Sequence, residues 1–274
     1  MPWRERAGRE NTGPVDPQVV RYSERPELWD AISGLSDEIW PEYNQHGATL
    51  NYYWEQLYDY YWEQLYDVFP EWQFVLYDPG EDLVLAEGHT IPLAWDGTDA
   101  GLGPGIDATI AAAFALRAAG DTPTAASALA AEIPPRHQGR RLSGVLLKAM
   151  SRLAHDAGLS DLIAPVRPSL KERYPTIPIE RYARWTRPGG EPFDPWIRVH
   201  TRMGARIGPA IPQSLHITGT VAEWESWTRM DFPETGDYVF PAGLAPVYID
   251  REQDTGEYWE PNIWIIHQTG GGTR

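Results

Sequence analysis

The sequence predicts an α/β protein built on a mixed sheet, and three observations carry that reading. Apolar runs at residues 72–77 and 83–86 are joined by the turn Asp78-Pro-Gly-Glu-Asp82, and runs at 246–250 and 258–267 by a polar turn at 251–257. Each pair reads as an antiparallel hairpin, because a short polar turn between β-branched or aromatic runs connects neighbouring strands. Between the hairpins, residues 125–133, 143–157 and 162–166 read strand, helix, strand. That order demands parallel pairing through a right-handed crossover.

Taken in order, residues 1–17 are polar, charged and Pro/Gly-containing, which predicts a flexible leader, and 269–274 a flexible tail. Residues 18–268 are expected to form a single domain. A first strand is predicted at 19–22, and a helix over 27–40 from the spacing of Leu28, Ile32, Leu35, Ile39 and Trp40. The octad Tyr-Tyr-Trp-Glu-Gln-Leu-Tyr-Asp then occurs twice without change, at 52–59 and 60–67. Eight helical residues overshoot two turns by about 80°, so the copies cannot share one face. They read as a tandem insertion, since a repeat architecture needs three or more stacked units.

Residues 88–95 predict a third strand and 107–119 an alanine-rich helix. The stretch 168–195 is irregular, rich in proline and aromatic residues, and carries Arg173, Arg181, Arg184 and Arg187. It is too long for an ordinary connection and is expected to wall or cover a substrate. A helix is predicted at 196–203 and strands at 216–227, 246–250 and 258–267.

With 274 residues, 42% hydrophobic content and 13 Trp, 14 Tyr and 6 Phe, the chain is globular. The absence of cysteine excludes disulfides, thiolate metal sites and a cysteine nucleophile. No stretch approaches the ~20 apolar residues of a membrane span, and no apolar signal core opens the chain. A cytoplasmic protein is expected, without membrane contact. The net charge of −16 argues against nucleic-acid binding, but it is uneven. Between Arg136 and Arg206 lie 14 Lys+Arg against 6 Asp+Glu, a surplus of 8 that leaves −24 in the remainder. A cationic island in an acidic protein suits an anionic ligand.

The island opens on Ile133-Pro-Pro-Arg-His-Gln-Gly-Arg-Arg-Leu-Ser-Gly144, a loop between a strand and a helix. Free N–H groups converge at such a helix start and favour anions. This segment resembles the acyl-CoA motif of the GNAT superfamily of N-acetyltransferases, with Ile133, Pro135, Gln138 and Gly139 on pattern. Arg141 stands where the family has a second glycine, and Ser143 where it has Gly or Ala. Val199-His-Thr-Arg-Met-Gly204 is similar to the family's last-helix motif, with His200 at a tyrosine position and Ala205 where Phe is usual.

The resemblance implies a GNAT-like, mixed and mostly antiparallel central sheet flanked by helices. It implies transfer of an acyl group from acetyl-CoA or another acyl-CoA to a small-molecule or peptide amine, with no metal. The CoA pyrophosphate would lie on Ile133, Gln138, Gly139, Arg140, Arg141, Leu142, Ser143 and Gly144, and N–H groups near Glu132 and Ile133 would polarise the thioester. Glu132 is the candidate base. His200, as an imidazolium, is the candidate acid that protonates the leaving sulfur. Glu87 and His89 are weaker alternatives. Arg167, Lys171 and Arg173 are candidates for the CoA 3′-phosphate or for an acidic group of the substrate. The seven histidines show no paired helical spacing, so no metal site is expected. A homodimer is left open. Two other readings stay in view: a GNAT-fold protein without catalysis, which either binds acyl-CoA or has lost CoA through the Arg141 change, and an aromatic sugar-binding module.

Overall fold

A computed structural model describes residues 16–32, 35–47 and 61–270. Among them β1 (Gln18–Arg21), α1 (Leu35–Ile39), α2 (Tyr61–Val68), β2 (Gln73–Asp78), β3 (Leu83–Leu93), α3 (Ile106–Ala119), β4 (Ala125–Glu132) and α4 (Leu142–Asp156) make the first half. The second half runs through β5 (Asp161–Val166), α5 (Ile179–Tyr182), α6 (Pro195–Arg202), β6 (Arg206–Gly219), α7 (Val221–Thr228), β7 (Gly236–Tyr238), β8 (Val247–Asp250) and β9 (Thr255–Gln268).

One sheet holds the nine described strands in the order β1-β2-β3-β4-β5-β9-β8-β7, with β6 along the opposite edge of β9. Every pairing is antiparallel except β4 with β5. The expected mixed, mostly antiparallel sheet is therefore present. The crossover from β4 to β5 is α4, whose Leu142, Leu146, Leu147, Met150, Leu153 and Ala154 are buried. Those positions recur every three or four residues and give the helix one apolar face for the sheet.

The pairing of β4 with β5 positions the site. Only Ala126 with Leu162 and Ser127 with Ile163 are in register, although β4 continues to Glu132 and β5 to Val166. Beyond these pairs the strands part and leave a wedge. Two local features accompany the parting. Opposite β3, Thr90 pairs with Ala128 and His89 with Ala130, so Leu129 is an extra residue, a bulge that bends β4. On the other arm Pro165 has no N–H to give to a ladder. Alanine is a poor strand former, yet β4 reads Ala-Ala-Ser-Ala-Leu-Ala-Ala-Glu. Burial between neighbours makes the strand, and its short side chains keep the wedge open.

Several elements depart from the sequence-based expectations. The two strands expected at 83–86 and 88–95 are one, because β3 runs unbroken through Gly88 and ends at Leu93. A Cβ there would lie 2.4 Å from the ring of Phe74, so glycine admits that ring against the sheet. The helix expected over 27–40 is a 3-10 segment, Pro26–Ile32, followed by the short α1. The strand expected at 216–227 is the end of β6 followed by α7. Thr220 and Glu223 form a reciprocal capping box there, which starts a helix where the two tryptophans suggest a strand. The second octad copy lies largely in α2, while the whole of the first lies outside the described residues, as does nearly all of the leader. Thr269, expected in a flexible tail, donates its N–H to Ser160 O at 2.8 Å.

Candidate active site

The loop from Ile133 to Arg141 delivers the chain to the start of α4, and no side chain among the described residues caps that start. The first N–H groups of the helix are thus free to meet a ligand, and the helix dipole makes them favour an anion. Gly139 has φ 79° and Arg141 φ 63°. Arg141 therefore adopts the left-handed backbone that glycine favours at this position of the motif. The cradle shape survives, with an exposed guanidinium added to its rim. A Cβ added at Gly139 or Gly144 would meet no atom within 4 Å, so the surface over the cradle is open. Arg140 Nη1 lies 3.3 Å from His137 Nδ1, which turns this arginine toward the loop itself.

Behind the cradle, the wedge between β4 and β5 opens into a cavity of about 280 Å³. Ala128 to Glu132 line one side, Ala164 to Arg167 another, and Leu147 and Met150 of α4 a third. Trp40, Trp196 and His200 close around it. Every second residue of a strand turns its N–H and C=O to the same edge. On β4 beyond Ser127, that edge has lost its partner and faces the wedge.

Glu132, the last residue of β4, is fully buried, lines this cavity and accepts a hydrogen bond from Trp40 Nε1 at 2.6 Å. Directly opposite on β3 stands Glu87, also buried. Two carboxylates facing across a ladder repel each other, and His89 answers that repulsion. Gln73 donates its amide to Phe69 O and Thr90 O, which leaves Gln73 Oε1 facing His89 Nδ1 at 3.1 Å. The other ring nitrogen lies 3.4 Å from Glu87 Oε1. Both nitrogens face oxygen, so the ring carries two protons. Burial works against that charge, but Glu87 outweighs it and holds His89 above its ordinary pKa, with help from Glu132. Glu87 itself is raised by burial and lowered further by His89, Tyr66 and Trp29, with a net shift downward.

Of the three side chains Glu132 alone lines the cavity, and Glu87 and His89 stand behind it as an ion pair. The three also bring one ligand atom each within 4.8 Å of one another, a set able to hold a metal ion once His89 has lost a proton.

His200 on α6 is buried and lines the same cavity. Its Nδ1 lies 2.8 Å from Nε2 of His267 on β9, and its own Nε2 has no protein partner. Burial and then the neighbouring His267 push its pKa down to about 3. The imidazolium expected at His200 is corrected by this: near neutral pH the ring is neutral, because burial disfavours its charge and the neighbouring His267 adds to that.

The three basic residues after β5 separate. Arg167 turns into the cavity wall. Lys171 is buried and donates to Tyr174 O, Pro175 O and Leu244 O, so it is a structural group. Arg173 is exposed and outside the cavity lining. The segment 168–195, expected to wall or cover the substrate, packs against the core instead: Ile179 and Tyr182 are buried there, and only Ser169 of these residues reaches the cavity.

Glu132, His200 and the cradle are thus placed around one wedge. The sequence reading missed Trp40, His267 and Glu260, whose partners are far away in the chain. It ranked Glu87 and His89 low, although their alternation on one strand face, two residues from each other, was a usable signal.

No protein-family model matches the sequence. It is 25% identical over 266 residues to the arginine N-acetyltransferase avaD of Aspergillus versicolor, a match that spans 89% of this chain and 91% of that protein. The fold is similar to that of the loading GNATL domain of CurA from Lyngbya majuscula, with a TM-score of 0.54 and 16% identity over 93% of this chain and 98% of that one. It is equally similar to the GphF GNAT-like decarboxylase solved with isobutyryl-CoA, with a TM-score of 0.54 and 18% identity over 92% and 100% of the two chains.

Proposed function

We propose that this chain, which has the fold of GNAT-like proteins and is similar over most of its length to an arginine N-acetyltransferase, is an acyl-CoA-dependent N-acyltransferase of the GNAT superfamily, with acetyl-CoA as donor and a small cationic amine as acceptor. The observation that carries the reading is the continuity of β4. One strand borders the wedge, ends in the buried carboxylate of Glu132 and runs on into the anion cradle before α4. The CoA pyrophosphate lies on the cradle from Gln138 to Gly144, and the pantetheine arm enters between β4 and β5.

In this mechanism the acceptor arrives as an ammonium ion and gives a proton to Glu132. Its nitrogen then bonds to the thioester carbon, the C–S bond breaks, and the second proton that the nitrogen must shed to become a neutral amide passes to the departing thiolate, directly or through solvent. N–H groups on the unpaired edge of β4, as far as Glu132 and Ile133, polarise the thioester carbonyl. His200 offers Nε2–H to the departing sulfur as a hydrogen bond, without transferring that proton. A thiol has a pKa of about 8.5, so a thiolate is an adequate leaving group near neutral pH. The arginine acetyltransferase named above supports a cationic acceptor, as does the carboxylate of Glu132 at the cavity wall. All the side chains invoked come from one chain, and the proposed compartment is the cytoplasm.

Thermal unfolding with CoA, followed by thiol release from acetyl-CoA over a panel of amines, tests the reading. Ligand at about 100 times its dissociation constant should stabilise the protein by roughly 2.7 kcal/mol. A shift without turnover on any amine would leave an acyl-CoA-binding protein, and no shift would remove the cradle assignment.

A further inference from the structure

Arg167 follows the last residue of β5, as Glu132 ends β4. Its guanidinium is held in place by three protein contacts: Nε donates to Glu260 Oε1 at 3.1 Å, and Nη2 donates to Tyr43 Oη at 3.1 Å and to Ala242 O at 2.8 Å. Nη1 has no hydrogen-bond partner among the described residues, although it carries two N–H groups. The side chain keeps 20% of its surface open and lines the same cavity as Glu132. The second oxygen of Glu260 already accepts from Asn44 Nδ2 at 3.2 Å, so the ion pair is satisfied on the acid side and unsatisfied on the basic side.

A fixed guanidinium with a free edge on a cavity is suited to an oxyanion, and most of all to a carboxylate. The phosphates of CoA are accounted for at the start of α4, on the outer side of the wedge. What remains for Arg167 is a group on the molecule that fills the cavity. We propose that Arg167 binds the carboxylate of the acceptor, so that the acceptor is an amino acid and not a simple amine. This rests on the acyltransferase reading above. The acceptor then spans two parallel strand ends, with its amine toward Glu132 and its carboxylate toward Arg167. Nearby Ser169 and Asn262 supply further polar surface on that side.

The test compares acceptors that differ only in the carboxylate: L-arginine against agmatine, and L-lysine against cadaverine, each with acetyl-CoA. The wild-type protein should favour the amino acid by about 10-fold or more in kcat/KM, the value of a charge-assisted contact. Arg167→Gln should erase that preference, slowing the amino acid about 10-fold more than the amine. Because loss of Arg167 strands Glu260 and can unfold the chain, the wild-type comparison stands without the variant.

Equal or better use of agmatine and cadaverine would overturn the carboxylate assignment while leaving the acyltransferase intact. No turnover with any amine would instead defeat the function on which the assignment rests. Loss of CO₂ from malonyl-CoA, dependent on Arg167 and with the amino acids ignored, would give the guanidinium to a carboxylate on the acyl group and also overturn the proposal.

Discussion

Glu132 ends β4 and Arg167 follows the end of β5, and because these strands are parallel the two opposite charges stand at the same end of the wedge. The strands part after two paired residues, and in the proposal above a zwitterionic acceptor takes the space between the two charges. Glu132 is supported from behind by Trp40 and faced by His89 and Glu87 across the ladder.

The first prediction concerns His89. In His89→Gln, Glu87 and Glu132 lose the positive charge that lies between them, and a buried carboxylate without its partner costs about 3–5 kcal/mol. The loss should be large at pH 7 and smaller near pH 4, where the carboxylates take up protons. Urea unfolding of both proteins at the two pH values measures it. An equal loss at both would mean that His89 is neutral.

Arg141 gives a second prediction. A non-glycine residue in the left-handed region costs about 1 kcal/mol, so Arg141→Gly should keep or slightly raise stability and hold CoA affinity within about threefold. Arg141→Val should lose about 1–2 kcal/mol, since a branched side chain is worse there. Thermal midpoints and CoA titrations of the two variants decide the matter. A tenfold loss of CoA binding in Arg141→Gly would show that the side chain, not the backbone, holds the phosphate.

The histidine pair predicts acid sensitivity. His200 and His267 are neutral when folded, with pKa values pushed down to about 3 and about 4 by burial, against about 6.5 when unfolded. Between these values the unfolded chain binds more protons, so stability falls as pH drops from about 6.5 toward 4. Denaturation midpoints measured across that window should fall less steeply in the double variant His200→Gln, His267→Gln. An unchanged slope would contradict the neutral pair.

Gly88 predicts a packing effect transmitted to the acid cluster. Gly88→Ala puts a methyl group within 2.4 Å of the Phe74 ring, between Glu87 and His89 on β3. Overpacking of this kind costs about 1–3 kcal/mol, and the activity should fall with it. Retention of full stability would show that Phe74 has room to turn aside.

Much of the cradle was legible because its chemistry is local. A strand, a Pro/Gly loop and an amphipathic helix lie within about thirty residues and can be read locally, while Gln138 and Gly139 were placed on the cradle by resemblance to the family motif. The backbone of Arg141 could not be read, since only the fold forces a side chain into a glycine conformation. The wedge also escaped the sequence, because parallel strands part for reasons of register and of the bulge at Leu129. Contacts across long separations were invisible for the same reason: Arg167 with Glu260, Trp40 with Glu132 and His200 with His267 are each made by the sheet. The helix α7 was misread as part of a strand over 216–227, although Thr220 and Glu223 had written its start.

The measurement that tests the central claim most directly is the rate of N-acetyl product formation from acetyl-CoA and L-arginine, by the wild-type protein and by Glu132→Gln in parallel. General-base catalysis contributes about 10²–10⁴-fold, so the variant should fall by at least about 10² in kcat while CoA still raises its thermal midpoint. A variant that binds CoA and acetylates arginine at the wild-type rate would contradict the account.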